Sequence, residues 1–182
     1  MTDLTTFSGF VAYNGAVPEG DVDTIKALIT AYSQWVRSYT ARDFSITSYA
    51  RRFDGRNTDR LMLPQTPVVS VSSVAVGISV ITAQPDFGQV GFWFDDDSVM
   101  LEGHRFERGV GNVAIEWEAG YATIPVDIAQ AVNELVGLRY ALRDKQGWAS
   151  KSLAGETVSL ITKDMPDSVK AVLNSYRRVV PA

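Results

Sequence analysis

The chain has no cysteine, and only one of its 182 residues, His104, is histidine. Without thiols there is no disulfide framework, no thiolate nucleophile and no thiolate metal site, and an intracellular folding compartment is the expectation. A zinc centre needs several nitrogen or sulfur ligands, which one imidazole cannot supply. A Ser-His-Asp triad would have to run through His104, and no Gly-x-Ser-x-Gly elbow presents a serine to it. No window approaches the roughly 20 apolar residues of a membrane span. The opening Met-Thr-Asp-Leu-Thr-Thr-Phe has neither a basic nor an apolar signal region, so neither secretion nor membrane insertion is expected. Gly109-Val110-Gly111 is too short for a Walker or dinucleotide fingerprint and reads as a turn.

Positive charge is missing from one long stretch. Residues 61–104 contain Asp86, Asp95, Asp96, Asp97 and Glu102 but no Lys or Arg, whereas residues 37–60 hold six arginines (37, 42, 51, 52, 56, 60) against three aspartates (43, 54, 59). The net charge of -4 lacks the basic surplus of a dedicated nucleic-acid binder and hides this segregation. The plain reading is two solvated faces that pair locally. Hard cations want several carboxylate oxygens, but adjacent residues such as Asp95-Asp96-Asp97 seldom converge on one ion, and EF-hand spacing is absent. The triplet therefore reads as an exposed acidic turn, and His104, near Glu102 and Glu107, as a surface histidine. Glu116 and Glu118 share a strand face, yet a carboxylate pair needs a cleft to become catalytic. No catalytic, cofactor or metal residues are expected.

What is present is a core. Hydrophobic content of 46% suits one ordinary domain with a real core, or one domain plus a terminal arm, and a single domain is the expectation. Residues 1–20 read as an arm able to dock through Phe7, Phe10, Val11 and Tyr13. Asp21 then caps a helix whose stripe (Ile25, Leu28, Ile29, Tyr32, Trp35, Val36, Tyr39) is assigned to packing. The period shifts toward two at Phe44. Residues 46–53 and 60–63 flank Asp54-Gly55-Arg56-Asn57 and suggest a hairpin. In 68–76 the apolar phase slips between Val71 and Val74, so a bulge is expected near Ser72-Ser73. Residues 77–83, 89–94 and 99–102 supply further strands, the last two pairing across Asp95–Ser98.

The organising stretch is 112–146. Val113, Ile115 and Trp117 alternate with Ala114, Glu116 and Glu118 as in a half-buried strand, Gly120 marks a bend or close approach, and Ile128, Ala131, Val132, Leu135, Leu138 and Leu142 follow helical spacing. Residues 147–155 read as a loop, 156–163 as a short strand or extended arm, and Asp164-Met165-Pro166-Asp167 as the start of a last helix with Arg177-Arg178 at its end. The expected class is α+β: amphipathic helices packed on a small, mainly antiparallel sheet, with extended terminal arms. The expected divisions are an N-terminal arm at 1–20, a core at 21–147, and a C-terminal arm and helix at 148–182.

The ordered pieces resemble a known family. A helix ending in Tyr39-Thr40-Ala41-Arg42-Asp43-Phe44 is followed by Asp54-Gly55 and by Leu61-Met62-Leu63 running into Pro67-Val68-Val69-Ser70-Val71. After them come a Gly-rich turn, a strand from Asn112-Val113 to Ala119-Gly120-Tyr121, and a helix opening at Pro125 with Ile128 and Ala131. Over residues 21–145 this is similar to the head-tail connector, or head-completion adaptor, family of tailed bacteriophages and prophages. The resemblance implies a non-enzymatic virion protein at the head-tail junction, in the host cytoplasm during assembly, with no cofactor. It implies a cyclic, dodecameric homo-oligomer beneath the portal protein that extends the channel for passing double-stranded DNA and carries the stopper or tail-completion protein. A tail-completion or tail-terminator ring is the alternative, and a metal-dependent small hydrolase a remote one. A ring needs a heterologous interface. Arg51, Arg52, Arg56 and Arg60 against Asp95, Asp96 and Asp97 are the expected subunit contacts, with Arg177 and Arg178 as further partner contacts.

Overall fold

The computed structural model describes residues 2–86, 88–143, 150–153, 156–159 and 165–177, the strands between 150 and 159 by their backbone pairing. The class is α+β. The chain divides into two compact units, one from Met1–Ala41 with Ile124–Arg177 and the other built on Arg42–Thr123.

The first unit is helical: α1 (Phe7–Asn14), α2 (Val22–Thr40), α3 (Val126–Ala141) and α4 (Asp167–Tyr176). Helix α3 packs against all three others, so its burial extends past one stripe to Ile128, Ala131, Val132, Asn133, Leu135 and Val136. Polar side chains at helix ends tie the unit together. Tyr176 donates its hydroxyl to Asp127 at 2.9 Å, and Ser168 donates to Glu134 at 3.0 Å, holding α4 to α3. Asn14, at the end of α1, occupies the space left by Gly137, where a Cβ would lie 2.3 Å from Asn14 Oδ1. The arm expected at 1–20 is docked and partly helical. Leu4 and Phe10 are buried, the Leu4 N–H donates to Ser33 Oγ, and Arg37 donates to the Thr2 carbonyl. Asp21 stands at the N-cap of α2 without capping it; its carboxylate instead takes the Tyr140 hydroxyl and lies 3.6 Å from Arg143.

This unit also holds β8 (Ser150–Leu153) and β9 (Glu156–Ser159), an antiparallel hairpin whose two strands pair only with each other among the described residues. The first strand falls where a loop was expected; its four residues pair in register with β9, and this pairing overrides the weak strand propensity of Lys151.

The second unit contains two sheets. The larger has the order β1-β7-β3-β4, formed by β1 (Thr47–Gly55), β3 (Val68–Val76), β4 (Ser79–Ile81) and β7 (Gly109–Ala119); the smaller has the order β2-β6-β5, from β2 (Arg60–Met62), β5 (Gly91–Phe94) and β6 (Ser98–Glu102). Strand β7 is central, and its alternate residues Val113, Ile115, Trp117 and Ala119 are buried in one core with Val74, Phe92, Val99, Leu101 and Phe106. The phase slip in β3 is a register shift between Val71 and Ser73, which lets Val71 meet Trp117 and Val74 meet Ile115 on the same face. Two expectations change. β1 and β2 do not form a hairpin: β1 pairs with β7 and β2 with β6. Gly109-Val110-Gly111 is the start of β7 rather than a turn before it.

Gly120 closes β7 at φ +134, and a Cβ there would lie 2.4 Å from the Ser45 carbonyl oxygen. Both the backbone and the space demand glycine. Gly120→Val combines a disfavoured φ with a clash against backbone and should destabilise the fold by about 3 kcal/mol or more. Chemical denaturation checks this; a variant with the parent's stability would show that the strand end relaxes freely.

Candidate functional site

Strand β1 carries Arg51 and Arg52 in its middle, opposite Ile115 and Ala114 of β7. Both are exposed. Arg52 Nη1 donates to the Gly111 carbonyl at 3.4 Å, and neither arginine has an ion-pair partner among the described residues. Beside them, on the core side of the strand, Tyr49 stacks on Trp117 with ring centres 5.2 Å apart and donates its hydroxyl to Asp43 at 2.7 Å. Burial, then that bond to a carboxylate, raises the Tyr49 phenol above its ordinary range, so it serves as a fixed donor. The chain leaves β1 beside residues 106–109: Asn57 N donates to Phe106 O, and Phe106 N to Thr58 O. Arg56 stands exposed on this passage, with no hydrogen bond or ion pair among the described residues.

Arg60 is used differently. From β2 its Nη2 reaches Asp95 at 2.6 Å and Asp97 at 3.5 Å, while Nε donates to Ser98 Oγ at 2.8 Å. One arginine of the basic stretch is therefore spent on two aspartates of the acidic stretch within the same chain. With its side chain 51% exposed, this pairing is worth at most about 1 kcal/mol and mainly sets geometry.

The acidic turn is itself structural. Asp95 Oδ1 accepts from Asp97 N, Ser98 N and Ser98 Oγ, closing the bend between β5 and β6. The carbonyls of Asp97 and Asp96 accept from Leu63 N and Val68 N, so the turn also fixes the chain between β2 and β3. Of the three, Asp96 is exposed and Asp95 and Asp97 are half-buried. Partial burial opposes ionisation of Asp95, but the donors from Ser98 and Asp97 outweigh it and hold its carboxyl at about 2.

The remaining candidates do not converge. His104, Glu102 and Glu107 line an open cleft of about 600 Å³ together with Asp59 and Arg105, yet no three His, Asp or Glu among the described residues stand close enough to hold a metal ion. Glu118 accepts from Ser48 at 3.2 Å and Ser70 at 3.0 Å, which commits it to cross-strand bonds on the sheet's outer face. Arg177 lies 5.6 Å from the Tyr39 ring at the end of α4; Arg178 falls outside the described residues.

A family model described as head completion protein matches residues 3–179. The chain belongs to the head completion protein family. The match includes both units and runs past the 21–145 span of the sequence resemblance. No curated protein matches significantly. Among solved structures the chain is similar to a component of the neck of an empty GTA particle computed with C6 symmetry, with 20% identity over 98% of this chain and 92% of that one, and a TM-score of 0.55. It is also similar to one in the neck of the native GTA particle computed with C12 symmetry (21% identity, 100% and 96% covered, TM-score 0.52). A third is in the virion of the native gene transfer agent particle (19%, 100% and 96%, 0.54). At these identities the likeness shows the fold.

The structure also exposes surfaces that the sequence patterning did not mark. Ile78 and Val110 are almost wholly exposed at one end of the four-stranded sheet, where Gly77 N bonds Asn112 O. Trp35, assigned to packing, is 39% exposed in a row with Tyr32 and Tyr39, because α2 buries Ile25, Ile29 and Val36 instead. A branched apolar residue beside turn glycines was the available signal for Ile78 and Val110.

Because the folded Asp95 carboxyl titrates below the unfolded value of about 4, its stabilisation is complete above pH 4–5 and is lost as pH falls toward 2. The melting difference between the parent and Asp95→Asn should therefore hold constant from pH 7 to 5 and shrink on further acidification. A pH-independent difference in thermal melts would contradict the turn's charge-dependent role.

Proposed function

We propose that this head completion protein is a structural adaptor at the head-tail junction of a virion. It assembles as a dodecameric ring beneath the portal, extends the DNA channel, and presents the platform for the stopper or tail. The observation that carries this reading is the family match over residues 3–179. The likeness in fold to neck components computed with C6 and C12 symmetry supports the ring. The side-chain inventory supports a structural role over catalysis, since no nucleophile, base and orienting group come together among the described residues. The net negative charge suits a channel wall along which DNA slides instead of sticking.

The ring interface is heterologous: one surface of each subunit meets a different surface of the next. With Arg60 held by Asp95 and Asp97, the exposed cations that the 37–60 stretch still offers a neighbour are Arg51, Arg52 and Arg56, and the exposed acid of the turn is Asp96. Arg177 and Arg178 are assigned to the portal.

Two measurements test the proposal. Purified portal should capture the chain in a pull-down; capture by tail tube with no binding to portal would make it a tail-completion ring instead. Reversing Arg51 and Arg52 together to Glu should weaken ring formation roughly tenfold at low salt and less at high salt, where the pairing is screened. Native mass spectrometry reads the ring population, and unchanged assembly would remove these arginines from the interface.

A further inference from the structure

The four-stranded sheet has two very different edges. On one side β4 is three residues long. On the other, β1 runs for nine residues, pairs only with β7, and receives no backbone hydrogen bond outside that ladder over residues 47–54 among the described residues. A long exposed edge of this kind is a template for another strand. Elsewhere, the β8–β9 pair is a two-stranded sheet with no third strand among the described residues. Such a hairpin is marginal in water and gains stability when its edge is extended.

We infer that the β8–β9 hairpin of one subunit adds to the β1 edge of the next, joining neighbours by main-chain hydrogen bonds. This inference rests on the ring reading above. The occupant follows by elimination. A second β1 is disfavoured, because antiparallel pairing near the strand's middle would set Arg51 and Arg52 against their own copies, and like charges directly opposite destabilise a ladder. The strands β2, β4 and β5, three, three and four residues long, already belong to sheets of three or four strands, and β5 is further bonded to residues 82–84 through Phe92 N and Phe92 O. Among the described residues, the hairpin remains as the sheet whose two strands pair with nothing beyond each other. Edge on one side and hairpin on the other is a head-to-tail arrangement, the kind that propagates around a cycle.

The absence of cysteine makes the test clean. A cysteine at Ala50 or Arg51 is combined with one at each position of 150–153 and 156–159, the protein is assembled with purified portal, and the sample is oxidised. At least one pair should yield a ladder of covalent oligomers on a non-reducing gel, absent from every single-cysteine variant. In the unsubstituted protein, amide exchange at alternate residues of 47–54 should slow by about tenfold or more on assembly. Rings seen by native mass spectrometry with only monomer bands and unchanged exchange would overturn the strand addition and leave the ring reading standing. Dimers from the Ala50→Cys variant alone, or cross-links confined within one chain, would also overturn it. No ring with portal under any condition would remove the ring reading and this inference together.

Discussion

The strand-built unit depends on β7, and β7 depends on Trp117. The indole is buried, donates to the Gln65 carbonyl at 3.3 Å, and is flanked by Tyr49 and Phe53 with ring centres 5.2 and 6.0 Å away. It thereby binds β1 to the chain just before β3, across the central strand that pairs with both. Loss of a buried tryptophan costs roughly 3–5 kcal/mol, a large share of the 5–15 kcal/mol that holds a typical domain together. The register shift in β3 and the glycine at position 120 are accommodations to this face. One lets β3 keep its valines toward the core; the other lets the chain leave β7 against Ser45.

A chain that invests its side chains in this way has few left for chemistry. Glu118 is tied to Ser48 and Ser70, Asp95 to its own turn and Arg60, Asp127 to Tyr176, and Asp21 to Tyr140 and Arg143. What stays exposed lies on surfaces: Arg51 and Arg52 along an open strand edge, and Ile78 and Val110 at a sheet tip. That distribution suits a subunit whose work is done by its neighbours' contacts, in agreement with its family.

Much of the fold was legible in the sequence where the signal is local. The alternation in 113–119 marks β7, the slip between Val71 and Val74 marks the irregularity in β3, and Gly120 marks the close approach. The hairpin at 54–57 was misread because turn chemistry reports only a local bend. The partner of β1 lies some sixty residues away in β7, and the bend is instead held by Phe106. Gly109 and Gly111 suggested a turn, but β7 begins at Gly109 on the backbone of Gly55 and tolerates a positive φ at Gly111. The candidate site was less legible. Charge segregation along a sequence does not say which charges meet, and Arg60 shows that part of it is consumed at home. What the others do depends on a second chain.

The proposed role is that of a ring seated on a portal. Electron microscopy of the purified protein, alone and mixed with purified portal, tests it most directly. A closed ring of copies coaxial with the portal is expected, whether or not the chain forms rings by itself. Portal particles left bare beside dispersed copies of the chain would contradict it.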